Sequence, residues 1–191
     1  MTAVKFPRNL PTPSDIPSVK SLDDAVDAWC RDHRHPVADR VFYGLSSAAD
    51  HSLLWNILVA ARGVRNGRPS MVLRGAAVFG VESALTNAAL KSLFNRERPA
   101  VEEDEALPMG MRRPVTSSFP SGHATAAFTA AALLSQDSKH PGVWYALAAL
   151  VAGSRVYTRM HHASDVLAGA ALGAVFGAVA IRVLPLSPKR R

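Results

Sequence analysis

Residues 166–181 read VLAGAALGAVFGAVAI, a stretch with no charge and almost no polarity. A helix on the surface of a soluble protein keeps a polar face for water. This stretch has none, so it has to lie in a core or in lipid. Crossing a bilayer takes about 20 apolar residues, and the run over 163–184 is long enough. Four further apolar runs precede it, at 52–62, 71–94, 122–135 and 142–158. Those at 52–62, 122–135 and 142–158 are short and need neighbouring helix turns to complete a crossing. Extending the first one backwards meets Asp50 and His51. The alternative to membrane helices is a soluble all-helical core, and the length of the last run favours the membrane. The expected fold is all-α: a bundle of about five membrane helices plus N-terminal surface or amphipathic helices.

Mean hydropathy is only +0.06 because the chain is split. Residues 1–40 and 95–120 are polar and Pro-rich, while the remainder is rich in Ala, Leu, Val and Gly. Pro7, Pro11, Pro13 and Pro17 make residues 1–20 an irregular arm. Ser21 can cap a helix over 22–34, with acids in its first turn. Its apolar face, Ala25, Val26 and Trp29, is narrow, which suits a surface or a bilayer interface. A second helix is expected over 37–49. The divisions are an arm with a surface helix at 1–36, a helical bundle at 37–184 and a basic tail at 185–191.

The net charge is +7. Nucleic acid is excluded as a partner, because the basic residues sit in connections between apolar runs and do not form a stripe interleaved with aromatics. The lone Cys30 excludes an internal disulfide and a cysteine-based zinc site. The N-terminus, MTAVKFPRNLPTPSDIP, lacks the apolar centre of a signal peptide.

Three polar clusters flank the runs. In KSLFNRERP, Lys91 and Arg98 are two helical turns apart and would share a helix face, and Pro99 puts Arg98 at the helix end. Arg96 is a third cation that faces elsewhere. In SFPSGH, a proline and Ser-Gly precede an Ala-rich helix. Free N–H groups at a helix start bind anions, Gly122 allows close approach, Ser121 adds a hydroxyl, and His123 lies in the first turn. In SRVYTRMHHASD, Arg155 sits at a helix end, and His161 and Asp165 are spaced as helical neighbours. The carboxylate can hold one ring nitrogen and leave the other as nucleophile or base. His162 and Arg159 face away. Gly169, Gly173 and Gly177 continue the same spacing, and small residues every four positions let another helix approach closely. His161 therefore faces the bundle interior. Read singly, the clusters are a basic helix end, an ordinary N-cap and an i,i+4 pair.

Together, Lys91 to Arg98-Pro99, Pro120-Ser121-Gly122-His123, and Ser154-Arg155 to His161 and Asp165 resemble the type 2 phosphatidic acid phosphatase family, which shares its site with vanadium-dependent haloperoxidases. The resemblance covers 91–165 directly, and the helix layout extends it to about 40–184. It implies an all-helical, metal-independent phosphatase with no cofactor. His161 is then the nucleophile and forms a phosphohistidine, and Asp165 orients it. His123 protonates the leaving oxygen and afterwards activates water. Lys91, Arg98, Arg155, Ser121 and the Gly122 amide bind the phosphoryl oxygens. The implied partners are a lipid phosphate substrate and the bilayer, and a polyprenyl-linked substrate suits so small a scaffold. The competing readings are a soluble acid phosphatase, a haloperoxidase holding vanadate, and a non-catalytic lipid-phosphate binder.

Many membrane members of that family have six spans, and here the first is missing or replaced by the arm and surface helix. Arg62, Arg65 and Arg68 in one connection, and the PLSPKRR tail, belong in the cytoplasm by the positive-inside tendency. That puts 95–120 and 155–165 together on the extracytoplasmic face. Glu82 lies inside an apolar run and is expected to pair within the bundle or line a cavity. The acidic tip 102–105 belongs to a long loop, about 100–119, expected to act as a lid.

Overall fold

The computed structural model describes residues 10–100, 114–136 and 138–185. The acidic tip, most of the expected lid, the first nine residues of the arm and nearly all of the basic tail lie outside that set. Seven α-helices are seen among the described residues, with no strand: α1 Pro17–Asp32, α2 Pro36–Ala48, α3 Leu53–Arg65, α4 Ser70–Ser83, α5 Gly122–Ser135, α6 Pro141–Tyr157 and α7 Ala163–Val183.

Local sequence explains most of the boundaries. Pro17, Pro36 and Pro141 each open a helix at its first position, where a missing N–H costs nothing. α1 therefore starts at Pro17, a turn earlier than a cap at Ser21 would have it. Helix α4 continues through a π-helical stretch, Ala84–Leu90, and a 3₁₀ turn, Lys91–Leu93, before the chain extends at Phe94. Between α2 and α3 the backbone breaks sharply. His51 and Ser52 have φ of 53° and 59°, a left-handed conformation that costs about 1–3 kcal/mol per residue without glycine.

α5 is the central element. Nearly all of its side chains are buried, and it packs on α7 and α6. Its Ala-rich surface and the glycines of α7 set a short interhelical distance. A Cβ at Gly169 or Gly173 would lie less than 3.0 Å from the carbonyl of Ser121 or Thr125. Thr129 Oγ1 donates to the Gly173 carbonyl across that seam at 3.1 Å. α3 packs on α4, and α2 on α6. α1 lies against α6 and α7 and buries Asp23 and Cys30.

Large apolar side chains point outward from the surrounding helices: Leu53 and Ile57 on α3, Leu73 and Val81 on α4, Leu150 on α6, Leu167 and Val175 on α7. Outward apolar faces on helix after helix suit a lipid surround. One described helix, α7, is by itself long and apolar enough to cross a membrane. α5, with 14 residues, rises only about 20 Å. Arg62 at the end of α3 donates to the Leu134 carbonyl, at the opposite end of α5 from His123. Arg74 donates to the Pro185 carbonyl past the end of α7. The basic connection and the start of the tail thus share one end of the bundle, and the polar clusters share the other.

Candidate active site

A cavity of about 510 Å³ opens at the end of the bundle where α5 begins. Lys91, Arg98, Gly122, His123, Arg155 and His161 all line it. Three regions far apart in the chain therefore meet at one void. Ser121 does not line the cavity. It is fully buried and serves as the N-cap of α5, its Oγ accepting from the Ala124 amide.

The local geometry differs from simple helical spacing in two places. Lys91 opens the last turn of the helical segment, and Arg98 lies beyond that turn in extended chain, so they meet by the path of the backbone and not on one helix face. His161 precedes α7, in the connection from α6, while Asp165 lies in the first turn of α7. His161 Nδ1 donates to the Ser118 carbonyl at 2.7 Å, and the Asp165 carboxylate stands 3.7 Å from that nitrogen. A neutral imidazole with Nδ1 protonated carries its lone pair on Nε2. That Nε2 lies 3.5 Å from Nη1 of Arg98. Burial, and then the cations of Arg155, Arg98 and Lys91, push the His161 imidazole down to about 3, against the pull of Asp165. The ring is thus neutral at physiological pH.

The cations are held by different means. Arg98 donates to the carbonyls of Met160, Pro114, Thr116 and Ser117, which fixes its guanidinium over the mouth. Arg155 is 3% exposed and donates to Ser46 Oγ of α2. Its buried Nε has no hydrogen-bond partner among the described residues. A buried, incompletely satisfied guanidinium on the wall of a polar cavity is a fitting seat for an anion. Gly122 is overlain by Asn87 of the π-helical stretch, whose amide oxygen would be 2.6 Å from a Cβ there. Glu82 lines the cavity and accepts from Thr86 Oγ1 at 3.1 Å. Pro114 and Thr116, from the described part of the expected lid, also line it.

Two further arrangements were not legible in the sequence. Arg96 does face away from the cavity, but it donates to Asp165 Oδ1 at 2.5 Å and to Asp23 Oδ2 of α1 at 2.7 Å. Asp23 in turn accepts from the amide and hydroxyl of Ser164 at 2.9 and 2.6 Å. Burial works to raise the Asp23 carboxyl, but Ser164 and then Arg96 hold it below the usual carboxylate range. The second is Asp50, which lines the cavity and accepts from His123 Nε2 at 2.8 Å. The only sequence signal for it was an acid beside an apolar run. Arg159 pairs with Asp27, and His162 contacts the Glu97 carbonyl, both outside the cavity lining.

The chain belongs to the PAP2 superfamily, whose family model matches residues 72–188. It is 34% identical to the decaprenylphosphoryl-5-phosphoribose phosphatase of Mycobacterium tuberculosis over 138 residues, 71% of this chain and 75% of that one. The enzyme of the same name from Mycolicibacterium smegmatis is 35% identical over 127 residues, covering 65% and 67%. Among solved structures, the transmembrane PAP2 type phosphatidylglycerolphosphate phosphatase of Bacillus subtilis superposes with a TM-score of 0.73. Its identity is 25%, over 93% of this chain and 92% of that one. LpxE of Aquifex aeolicus gives 0.66 at 27% identity, over 83% and 93%.

Proposed function

We propose that this protein is a membrane lipid-phosphate phosphatase that works through a phosphohistidine at His161. The observation that carries this reading is the shared cavity. Two imidazoles and three cations from distant segments face one void of a size for a phosphoryl group and the start of its substituent.

The steps follow from the groups present. Lys91, Arg98, Arg155 and the Gly122 amide neutralise the phosphoryl oxygens, where the transition state gathers charge. His161 Nε2 attacks phosphorus while the bond to the leaving oxygen breaks. His123 gives that oxygen its proton. A water then attacks the phosphohistidine, His123 takes its proton, and phosphate leaves with His161 restored. Ser118 and Asp165 hold the nucleophile's ring; Ser121 supports the anion site by capping α5.

The apolar part of the substrate is assigned to a groove of about 630 Å³ between α3 and α4, which shares Ser52, Ser83 and Asn87 with the cavity and runs to Phe79 and Ala76. A polyprenyl-linked phosphate fits that path and agrees with the names of the mycobacterial relatives. The basic connection and the start of the tail, gathered at the end of the bundle away from the cavity, support five crossings with the cavity on the extracytoplasmic side, α4 being completed by the turns that follow it.

The test is phosphate release by purified protein from polyprenyl-linked and glycerolipid phosphates, with EDTA present. Wild type is expected to release phosphate, best from a polyprenyl-linked substrate, and His161→Ala to release none. Release by His161→Ala, or dependence on an added divalent metal, contradicts the mechanism.

A further inference from the structure

The three motifs leave the carboxylate against His123 without a role. Asp50 lies outside both the motifs and residues 72–188, at the break between α2 and α3. The left-handed backbone of His51 and Ser52 turns the chain immediately after it, and all three residues line the cavity. Asp50 Oδ1 is 2.8 Å from His123 Nε2.

We propose that Asp50 is the positioning residue that makes His123 a general acid. A carboxylate can only accept, so the hydrogen between them sits on Nε2. Neutral His123 then carries its lone pair on Nδ1, and any second proton is taken up and given away there. The two histidines are thus held by opposite nitrogens: His161 through Nδ1, His123 through Nε2. Charge supports the same assignment. A protonated His123 must sit among Lys91, Arg98 and Arg155, the cations that phosphate binding requires. Asp50 supplies an anion bonded to the ring. In the first step the phosphorus–oxygen bond breaks, the leaving oxygen takes the Nδ1 proton, and His123 returns to its neutral form with Nε2–H still on Asp50.

This inference rests on the phosphatase reading, and its test separates the two. The full chain in detergent is assayed as wild type, Asp50→Asn and Asp50→Glu. The substrates are a lipid phosphate, whose alkoxide needs a proton to leave, and p-nitrophenyl phosphate, whose phenolate does not. The quantity read is kcat/KM, which ends at the first irreversible step and leaves out the water attack common to both.

Asp50→Asn is expected to lower kcat/KM for the lipid phosphate about 100-fold and for the nitrophenyl ester by less than about 3-fold. Asp50→Glu is expected to recover about 10-fold of the loss. An equal fall on both substrates, or no fall on the lipid phosphate, overturns the proposal. Nitrogen-15 NMR of the histidine rings gives a reading independent of turnover. The wild-type His123 hydrogen is expected on Nε2, and finding it on Nδ1 overturns the proposal. A wild type that cleaves neither ester but keeps the Nε2–H form removes the activity and sustains the contact.

Discussion

Arg96 and His161 show how much of the site depends on groups that never touch the cavity or never change charge there. Arg96 bridges two buried carboxylates, one of which stands beside His161. Removing one partner of a buried ion pair costs about 3–5 kcal/mol, because the charge left behind has no water. Arg96→Ala should therefore lower the thermal unfolding temperature strongly and reduce kcat, with KM changed less than about 2-fold since Arg96 does not line the cavity. A raised KM at unchanged kcat would instead put Arg96 in substrate binding. For His161 the sign follows from burial. The unfolded chain takes up a proton near 6.5, whereas the folded ring does so only at about 3. Stability should fall as pH drops from about 6.5 towards 3. His161→Gln should fall less steeply, as read by unfolding temperature across that window. The motif residues were legible because local spacing carries them. Asp50 and Asp23 were not, because each pairs across 73 residues.

Among the elements, α5 and α7 carry the most packing, and their seam was visible as Gly169, Gly173 and Gly177. What spacing could not give was depth: at Gly173 the neighbour is backbone, which cannot turn aside. Gly173→Ala is expected to destabilise by about 1–3 kcal/mol by forcing the helices apart. Gly153→Ala on α6 meets nothing within 4 Å and should be neutral or stabilising. Equal unfolding temperatures for the two variants would remove the seam from the account. Apolar runs likewise located the helices to within a few residues. The runs did not reveal where the backbone leaves helical geometry, at His51–Ser52 and beyond Leu93, because apolar spacing encodes neither a left-handed residue nor the point at which a helix gives way to extended chain.

For the whole molecule, the proposed orientation predicts which end each compartment can reach. Cys30 is buried at 4% exposure, so its thiol is a poor target and Cys30→Ala gives a clean background. Val115, fully exposed near the cavity, and Arg65, exposed at the far end, are suited to single cysteines. In intact cells an impermeant maleimide should label Val115→Cys, and Arg65→Cys only after permeabilisation. The reverse pattern would turn the molecule over in the bilayer. The matched family segment begins at residue 72, yet Asp23, Ser46 and Asp50, all before it, hold Arg96, Arg155 and His123 in turn. A protein trimmed to that segment would keep every motif and still be incomplete: Arg96, Arg155 and His123 would each have lost a brace.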